Sequence, residues 1–234
     1  MQVDTNFDFR IDSGGNDPDK FSATLRRYHK FLWSKKLPSG SSFTLSDAKS
    51  DVYLHHMSNL GEVRLSSDSI IPTFTRWKSL QHITSLLIEA DNEAFLAISY
   101  TIGGMMIFPS NKVDGKITIN GVRGFNRRIA DRFDLTLECI RRHYLGLNDP
   151  IHDTLLRYNA FFSLFGNFEG YVDFFLLQDL VAEDLSAVRF FTAFSDFNNS
   201  PVPRELSEYL DYRERTMAFV QARNLRIHRW ASGS

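Results

Sequence analysis

The spacing of apolar residues in the second half of the chain restricts its fold more than any other feature. Between Phe125 and Tyr144 apolar residues recur every three or four positions, which predicts one amphipathic helix. Its apolar stripe consists of Phe125, Ile129, Phe133, Leu137, Ile140 and Tyr144. A second helix is predicted after Asp149-Pro150 with Gly166 at its carboxyl end, and a long last helix over about 203–230. We therefore expect only helices from residue 125 onward.

The first half of the chain predicts short strands mixed with helices. Segments rich in β-forming residues alternate with turn signals such as Pro38-Ser39-Gly40. The predicted strands cover residues 42–44, 52–55, 62–65 and 70–74, with an edge strand at Phe7 and Phe9 and one bent or two short strands over 98–109. Helices are predicted over 21–33 and 77–90.

These patterns together predict an α+β fold. We expect a small, irregular, mostly antiparallel sheet in the N-terminal half, packed on a C-terminal helical bundle. A chain of 234 residues with 43% hydrophobic residues can bury a substantial core. We expect residues 1–234 to form a single domain, with a mixed α/β part over 1–122 and a helical part over 123–230.

Composition and charge exclude several classes of protein. The formal net charge is −1, so the chain as a whole has no electrostatic attraction to nucleic acid or to an anionic membrane. The single cysteine, Cys139, excludes an internal disulfide and a cysteine-based zinc site. No run of 18 apolar residues occurs, and the polar N-terminus lacks the apolar region of a signal peptide. We expect a cytoplasmic protein with no membrane partner.

Polar side chains between residues 111 and 132 form the strongest candidate ligand site. Glycines lie among them and let backbone amides approach a ligand, and Gly124 falls at the predicted start of the charged helix, where amides attract anions. A phosphate or a carboxylate is the ligand group we expect here, although no standard nucleotide-binding loop is present. The predicted ligand-binding residues are Asn111, Lys112, Asn120, Arg123, Arg128 and Arg132.

A simpler interpretation of the same helix remains open. Acidic and basic residues follow one another at three- and four-residue spacing, which places them on one helix face as exposed ion pairs. Such pairs stabilise a helix by about 0.3–0.5 kcal/mol each and need no ligand. The residues concerned are Arg127, Asp131, Asp134, Glu138 and Arg142.

Several motifs resemble a family of uncharacterised bacterial proteins that carry a domain of unknown function. The motifs extend over most of the chain, and no activity is implied, because the family has none assigned to it. They comprise residues 28–34, 100–104, 108–121, 131–144 and 170–180, including Tyr100-Thr101-Ile102-Gly103-Gly104 and Asp131-Arg132-Phe133-Asp134-Leu135. The resemblance implies a stand-alone bacterial protein.

A second candidate site lies in the predicted last helix. Arg223, Asn224 and His228 match the R-N-x-x-x-H pattern of HEPN-type ribonucleases, in which arginine and histidine hold a phosphate and move protons. Two copies of such a motif usually meet across a homodimer. The sequence therefore offers a HEPN-like ribonuclease or toxin as an alternative function, with Arg223, Asn224 and His228 as its catalytic residues.

A third interpretation is a non-catalytic protein that forms homo-oligomers. Ten phenylalanines lie between residues 161 and 197, enough for a core or an interface. The histidines lack the spacing of a metal site, and we expect neither a metal nor a cofactor. The interpretation we favour from sequence is an enzyme or sensor that binds a phosphate-bearing ligand, either a nucleotide, a dinucleotide or RNA.

Overall fold

Two small antiparallel sheets lie in the N-terminal half of the protein. A computed structural model describes residues 1–58 and 61–233. Strand β1 (Lys35–Lys36) pairs with β2 (Ser42–Phe43), and a three-stranded sheet has the order β3 (Leu54–Ser58), β4 (Gly61–Ser69), β5 (Met105–Pro109). The register pairs Leu54 with Leu65 and Ser69 with Met105. Strand β4 therefore pairs with β3 over residues 61–65 and with β5 over residues 65–69, so its edge is free of β3 from Ser66 onward.

Ten α-helices surround these sheets within the described residues. They are α1 (Pro18–Phe21), α2 (Ala23–Trp33), α3 (Gln81–Thr84), α4 (Glu89–Ser99), α5 (Ile119–Phe125), α6 (Phe133–Tyr144), α7 (His152–Arg157), α8 (Asn159–Ser163), α9 (Phe168–Phe174) and α10 (Leu206–Ser232). All five strands end by Pro109, and helices α6 to α10 follow from Phe133 onward. The predicted α+β class is confirmed.

The predicted helix over 125–144 is wrong in its first third. Thr118 caps the start of α5, where its side chain accepts a hydrogen bond from the Gly121 amide, and α5 ends at Phe125. Ala130 and Asp131 then have φ angles of 50° and 63°, which a helix does not accommodate. Consequently Gly124 lies near a helix C-terminus, and Arg127 and Asp131 do not lie on α6. Glu138 and Arg142 do lie on α6 and form an ion pair at 2.8 Å, as their spacing predicts.

Several predicted strands are also wrong. Residues 70–74 form no strand, because β4 ends at Ser69 after a polar run over 66–69. The predicted helix over 77–90 ends at Thr84, and α4 occupies residues assigned to a strand at Ile98 and Ser99. Phe7 and Phe9 form no edge strand, since Phe9 lies in a turn and Phe7 in neither a strand nor a helix.

One cluster of buried apolar residues extends from Val3 to Ile227. Helix α10 contributes to it along much of its length and packs on α4 and on the 3-10 turn Ile102–Gly104. Eight of the ten phenylalanines between 161 and 197 are buried in this cluster, and Phe190 and Phe194 are half-buried. The core thus accounts for most of the aromatic segment. Within the described residues no helix is both long and apolar enough to cross a membrane.

Candidate functional site

A polar groove follows the free edge of β4. Two cavities of about 430 and 500 Å³ adjoin there, and they share residues 51–53 and Ser66 as lining. Both volumes fall within the range of small-molecule sites. We call this combined cavity the β4 groove. It is lined at one end by Asp17, Asp19, Lys20, Arg26, Ser67, Asp68 and Asn120, and at the other by Arg64, Ser110, Asn111 and Lys112.

Asp19 anchors α1 to β4 at the acidic end of the groove. Its two carboxylate oxygens accept hydrogen bonds from the Ser67 hydroxyl at 3.0 Å and from the Ser69 amide at 3.2 Å. Burial, and after it the charge of Asp17, raise the pKa of Asp19 to about 6, against those two hydrogen bonds and the charge of Arg123. This carboxyl group therefore exchanges its proton close to neutral pH.

Asp68 lies on β4, the strand to which Asp19 is hydrogen-bonded, and is held by Arg123. The Arg123 guanidinium is fully buried and donates to the Asp68 carboxylate, to the Thr136 hydroxyl at 2.9 Å and to the Asp131 carbonyl at 2.9 Å. Burial raises the pKa of Asp68, and the charges of Asp131 and Asp19 contribute, while Arg123 opposes the shift. A quarter of the Asp68 side chain, 25%, nevertheless remains exposed to the groove.

Asn120 presents an amide to the same end of the groove. Its Nδ2 donates to the Ser66 hydroxyl at 3.2 Å. Its Oδ1 is enclosed and accepts no hydrogen bond from the described residues. Because a buried acceptor without a donor is unfavourable, a ligand hydroxyl or amine would stabilise this position.

The opposite end of the groove carries positive charge. Lys112 is exposed and lies within 4.0 Å of none of the described carboxylates, in contrast to Lys30, which contacts Asp47 at 2.6 Å. Arg64 approaches Asp51 at 3.4 Å and Glu62 at 3.3 Å and is 41% exposed. Three carboxyl groups thus gather at one end of the groove, together with Lys20 and Arg26, and the other end carries Arg64 and Lys112.

The structure brings together some of the residues predicted to bind a ligand. Asn111, Lys112 and Asn120 line the β4 groove, and Arg123 lies directly beneath it, behind Asp68. Arg128 is exposed and lines none of the cavities described here.

Arg132 is directed into the interior of the protein, away from the groove. It is 1% exposed and donates to the buried Asp134 carboxylate, to the Thr192 hydroxyl and to the Pro201 carbonyl at 2.6 Å. All of its guanidinium nitrogens have protein partners, so it offers no free donor to a phosphate.

The R-N-x-x-x-H residues occupy different environments. Arg223 is fully buried and donates to the carbonyls of Gly103, Met105 and Phe175 at 2.9–3.0 Å. Asn224 accepts from the Gly103 amide at 2.7 Å, whereas His228 is exposed. The first two residues support the 3-10 turn, and within one chain they do not share a cleft with His228.

Sequence reasoning missed the acidic half of the site. Asp19 and Asp68 were not among the predicted residues, because one lies in a polar arm and the other in the run Ser66-Ser67-Asp68-Ser69 between two predicted strands. Four consecutive polar residues beside β-forming segments signal a strand edge that faces a polar cavity, and this signal was available. Their proximity depends on a contact between α1 and β4 that no local pattern encodes.

Comparisons with known proteins identify a family without an activity. No curated protein and no solved structure matches the chain. The family of unknown function DUF6994 matches residues 3–227, which include every residue of the β4 groove and all five strands. The chain therefore belongs to the DUF6994 family.

Proposed function

We propose that the protein binds a small molecule carrying both a phosphate and hydroxyl groups, of the sugar-phosphate or nucleotide class, in the β4 groove. The observation that carries this proposal is that Asp19 and Asp68 lie at one end of two adjoining cavities, and Lys112, which has no carboxylate partner among the described residues, lies at the other. An elongated ligand with opposite polarity at its two ends complements this arrangement.

The acidic end suits hydroxyl groups. Carboxylates accept hydrogen bonds from sugar hydroxyls, and a protonated carboxyl group donates one. Since the pKa of Asp19 is raised to about 6, this carboxyl group can accept or release a proton near neutral pH, and burial raises the pKa of the neighbouring Asp68 as well. This capacity supports an enzyme that moves a proton to or from a ligand hydroxyl.

The basic end suits the phosphate. Lys112 is a point charge on a flexible stem without a carboxylate partner among the described residues, so it can follow an anion. The side chains of Asn111 and Ser110 add polar groups beside it. Arg123 instead donates to the Asp68 carboxylate from inside the fold, and because it is fully buried it does not reach the phosphate.

A bacterial, cytoplasmic protein is part of this proposal. The buried free thiol of Cys139 is compatible with a reducing compartment. The two other interpretations are less well supported, because Arg223 and Asn224 bind backbone groups inside the fold and most of the aromatic segment lies in the core.

The proposal is tested by calorimetric titration of the purified protein with ribose 5-phosphate, adenosine 5′-monophosphate and adenosine. We expect Lys112→Ala to weaken binding of the two phosphates by about three- to tenfold, with less effect on adenosine, because an exposed cation contributes roughly 1 kcal/mol. Asn120→Ala should weaken all three ligands. Arg128→Ala is the matched control, since it removes an exposed cation outside the groove.

Absence of binding for all three compounds at millimolar concentration would contradict the proposal. So would binding that Lys112→Ala and Arg128→Ala reduce equally, because the interaction would then depend on overall charge. Cleavage of single-stranded RNA that is lost in His228→Ala would favour the ribonuclease alternative instead.

A further inference from the structure

A second cavity, unrelated to the β4 groove, lies on another side of the molecule between β1 and α9. Its volume is about 460 Å³, and it is formed by residues 35–38 and by residues between 167 and 174. Leu37, Pro38 and Phe174 give it apolar walls, and Asp173 and Glu169 stand at its exposed rim. Lys35 belongs to the lining of this cavity.

The amino group of Lys35 is surrounded by aromatic rings. Its Nζ lies 5.2 Å from the ring centre of Trp33, 4.7 Å from that of Phe174 and 5.0 Å from that of Trp230. None of the described carboxylates lies within 4.0 Å of this nitrogen. The rings attract the ammonium form and also exclude water from it.

A buried cation that also contacts Trp33 favours the neutral amine. The Arg223 guanidinium lies 5.8 Å from the Trp33 ring centre, is fully buried, and is held by carbonyl groups rather than by a carboxylate. Burial, followed by the charge of Arg223, lowers the pKa of Lys35 to about 7, and only the more distant Asp173 opposes this. Loss of hydration and the nearby charge of Arg223 therefore favour the uncharged, nucleophilic form of Lys35 near neutral pH.

We propose that Lys35 is a reactive amine that condenses with an aromatic or other apolar aldehyde bound in this cavity. The lone pair of Nζ forms a bond to the carbonyl carbon, and the resulting carbinolamine loses its oxygen as water. Both hydrogens of the neutral amine leave with that oxygen, so the products are one imine and one water molecule. The step requires no oxidant and no metal. A lysine in a desolvated pocket next to another cation is the usual setting for such chemistry.

Apolar walls define the class of aldehyde. Phe174 and Leu37 can contact an aromatic ring, while the neutral amine at the inner end meets the carbonyl carbon. The neighbouring Lys36 is exposed and lacks the aromatic enclosure, which makes it an internal reference for ordinary lysine reactivity.

Reductive trapping tests the proposal on the intact protein. The protein is incubated at pH 7 with benzaldehyde and cyanoborohydride, and the modified lysines are mapped by peptide mass spectrometry over time. We expect Lys35 to be labelled at least about tenfold faster than Lys36, because a far larger fraction of it is neutral. The labelling rate of Lys35 should reach half its maximum near pH 7.

Two variants distinguish a reactive amine from a packed one. Lys35→Arg should lose the fast label while Lys36→Arg retains it. Asp173→Asn should move the half-maximal rate of Lys35 to lower pH, because it removes the carboxylate that favours the ammonium form. Labelling of Lys35 no faster than of Lys36, or a half-maximal rate near pH 10, would overturn the proposal. The wild-type map decides this even where a variant fails to fold.

Discussion

Three arginines with less than 2% exposed surface define the interior of this protein at the scale of single residues. Arg123 is compensated by Asp68 and Asp131, and Arg132 by Asp134. Arg223 has no carboxylate partner among the described residues and is held by three carbonyl oxygens. Arg223 therefore keeps a charge without a carboxylate beside it, and this charge adds to burial in lowering the pKa of both Lys35 and His29.

Arg132 and Asp134 should show the energetics of a buried ion pair. Asp134 is completely buried and also accepts from the Phe191 amide at 2.9 Å, so the pair connects the start of α6 to residues 191–201. Arg132→Ala leaves this carboxylate without its cation, and we expect a loss of about 3–5 kcal/mol in the free energy of unfolding. Urea denaturation of the variant and the wild type measures the difference.

An exposed pair provides the control for that measurement. Lys30 contacts Asp47 at 2.6 Å, and both side chains are well exposed, so Lys30→Ala should cost no more than about 1 kcal/mol. If Arg132→Ala costs as little as Lys30→Ala, the interior pair is not an important contributor to stability.

At the scale of elements, the sequence predicted which helices occur better than it predicted where they begin and end. Strong periodicity located α2, α10 and the end of α6 to within a few residues, because their apolar stripes face the core. The break between α5 and α6 was missed, since Phe125 and Ile129 continue the spacing of α6 although Phe125 is 82% exposed. The left-handed backbone at Ala130 and Asp131 ends that pattern, and neither residue type signals it.

The same limit explains the candidate sites. Asn111, Lys112 and Asn120 were found because they are polar and close in sequence. Asp19 lies about fifty residues from Ser67, so only the packing of α1 on β4 places it in the groove. Arg223 and Asn224 are likewise buried and support the packing of α10, and their sequence motif could not indicate this.

Helix α10 packs so closely on the turn Ile102–Gly104 that residue 103 has no room for a side chain. A Cβ atom at this position would lie 2.4 Å from the Val220 carbonyl oxygen and 2.7 Å from the Asn224 Oδ1. We therefore expect Gly103→Ala to separate the two elements and to lower the free energy of unfolding by about 1–3 kcal/mol or more. Thermal denaturation followed by circular dichroism measures this effect.

Gly124 is the matched control for Gly103. It lies in α5 with open space around its potential Cβ. Gly124→Ala should leave the stability unchanged or raise it by up to about 1 kcal/mol, because alanine favours a helix over glycine. Equal effects of the two substitutions would show that the approach of α10 to the turn is not tight.

At the scale of the whole molecule, stability should depend on pH through groups that act in opposite directions. His29 is fully buried, and neither ring nitrogen has a hydrogen-bond partner among the described residues. Burial, with a smaller contribution from Arg223, lowers its pKa from 6.5 to about 3. Asp19 shows the reverse, since its pKa is raised from 3.8 to about 6. The measured pH profile is the sum of these contributions.

The sign of each contribution follows from the protons bound in the two states. Between pH 6.5 and pH 3 the unfolded chain protonates His29 and the folded protein does not, so this group destabilises the fold as pH falls. Between about pH 6 and pH 4 the folded protein binds the proton of Asp19 more tightly than the unfolded chain, so this group stabilises the fold as pH falls.

His29→Leu should therefore change the pH dependence of stability for the entire protein. The wild type should lose about 2 kcal/mol through His29 between pH 7 and pH 5, and the variant should not. Urea denaturation at pH 7, 6 and 5 measures the free energy of unfolding of both proteins. Asp19→Asn is the counterpart, because removal of its opposing contribution should make the decline with falling pH steeper than in the wild type. Parallel profiles for the wild type and His29→Leu would mean that His29 becomes protonated inside the folded protein, and that its buried site accommodates the charge.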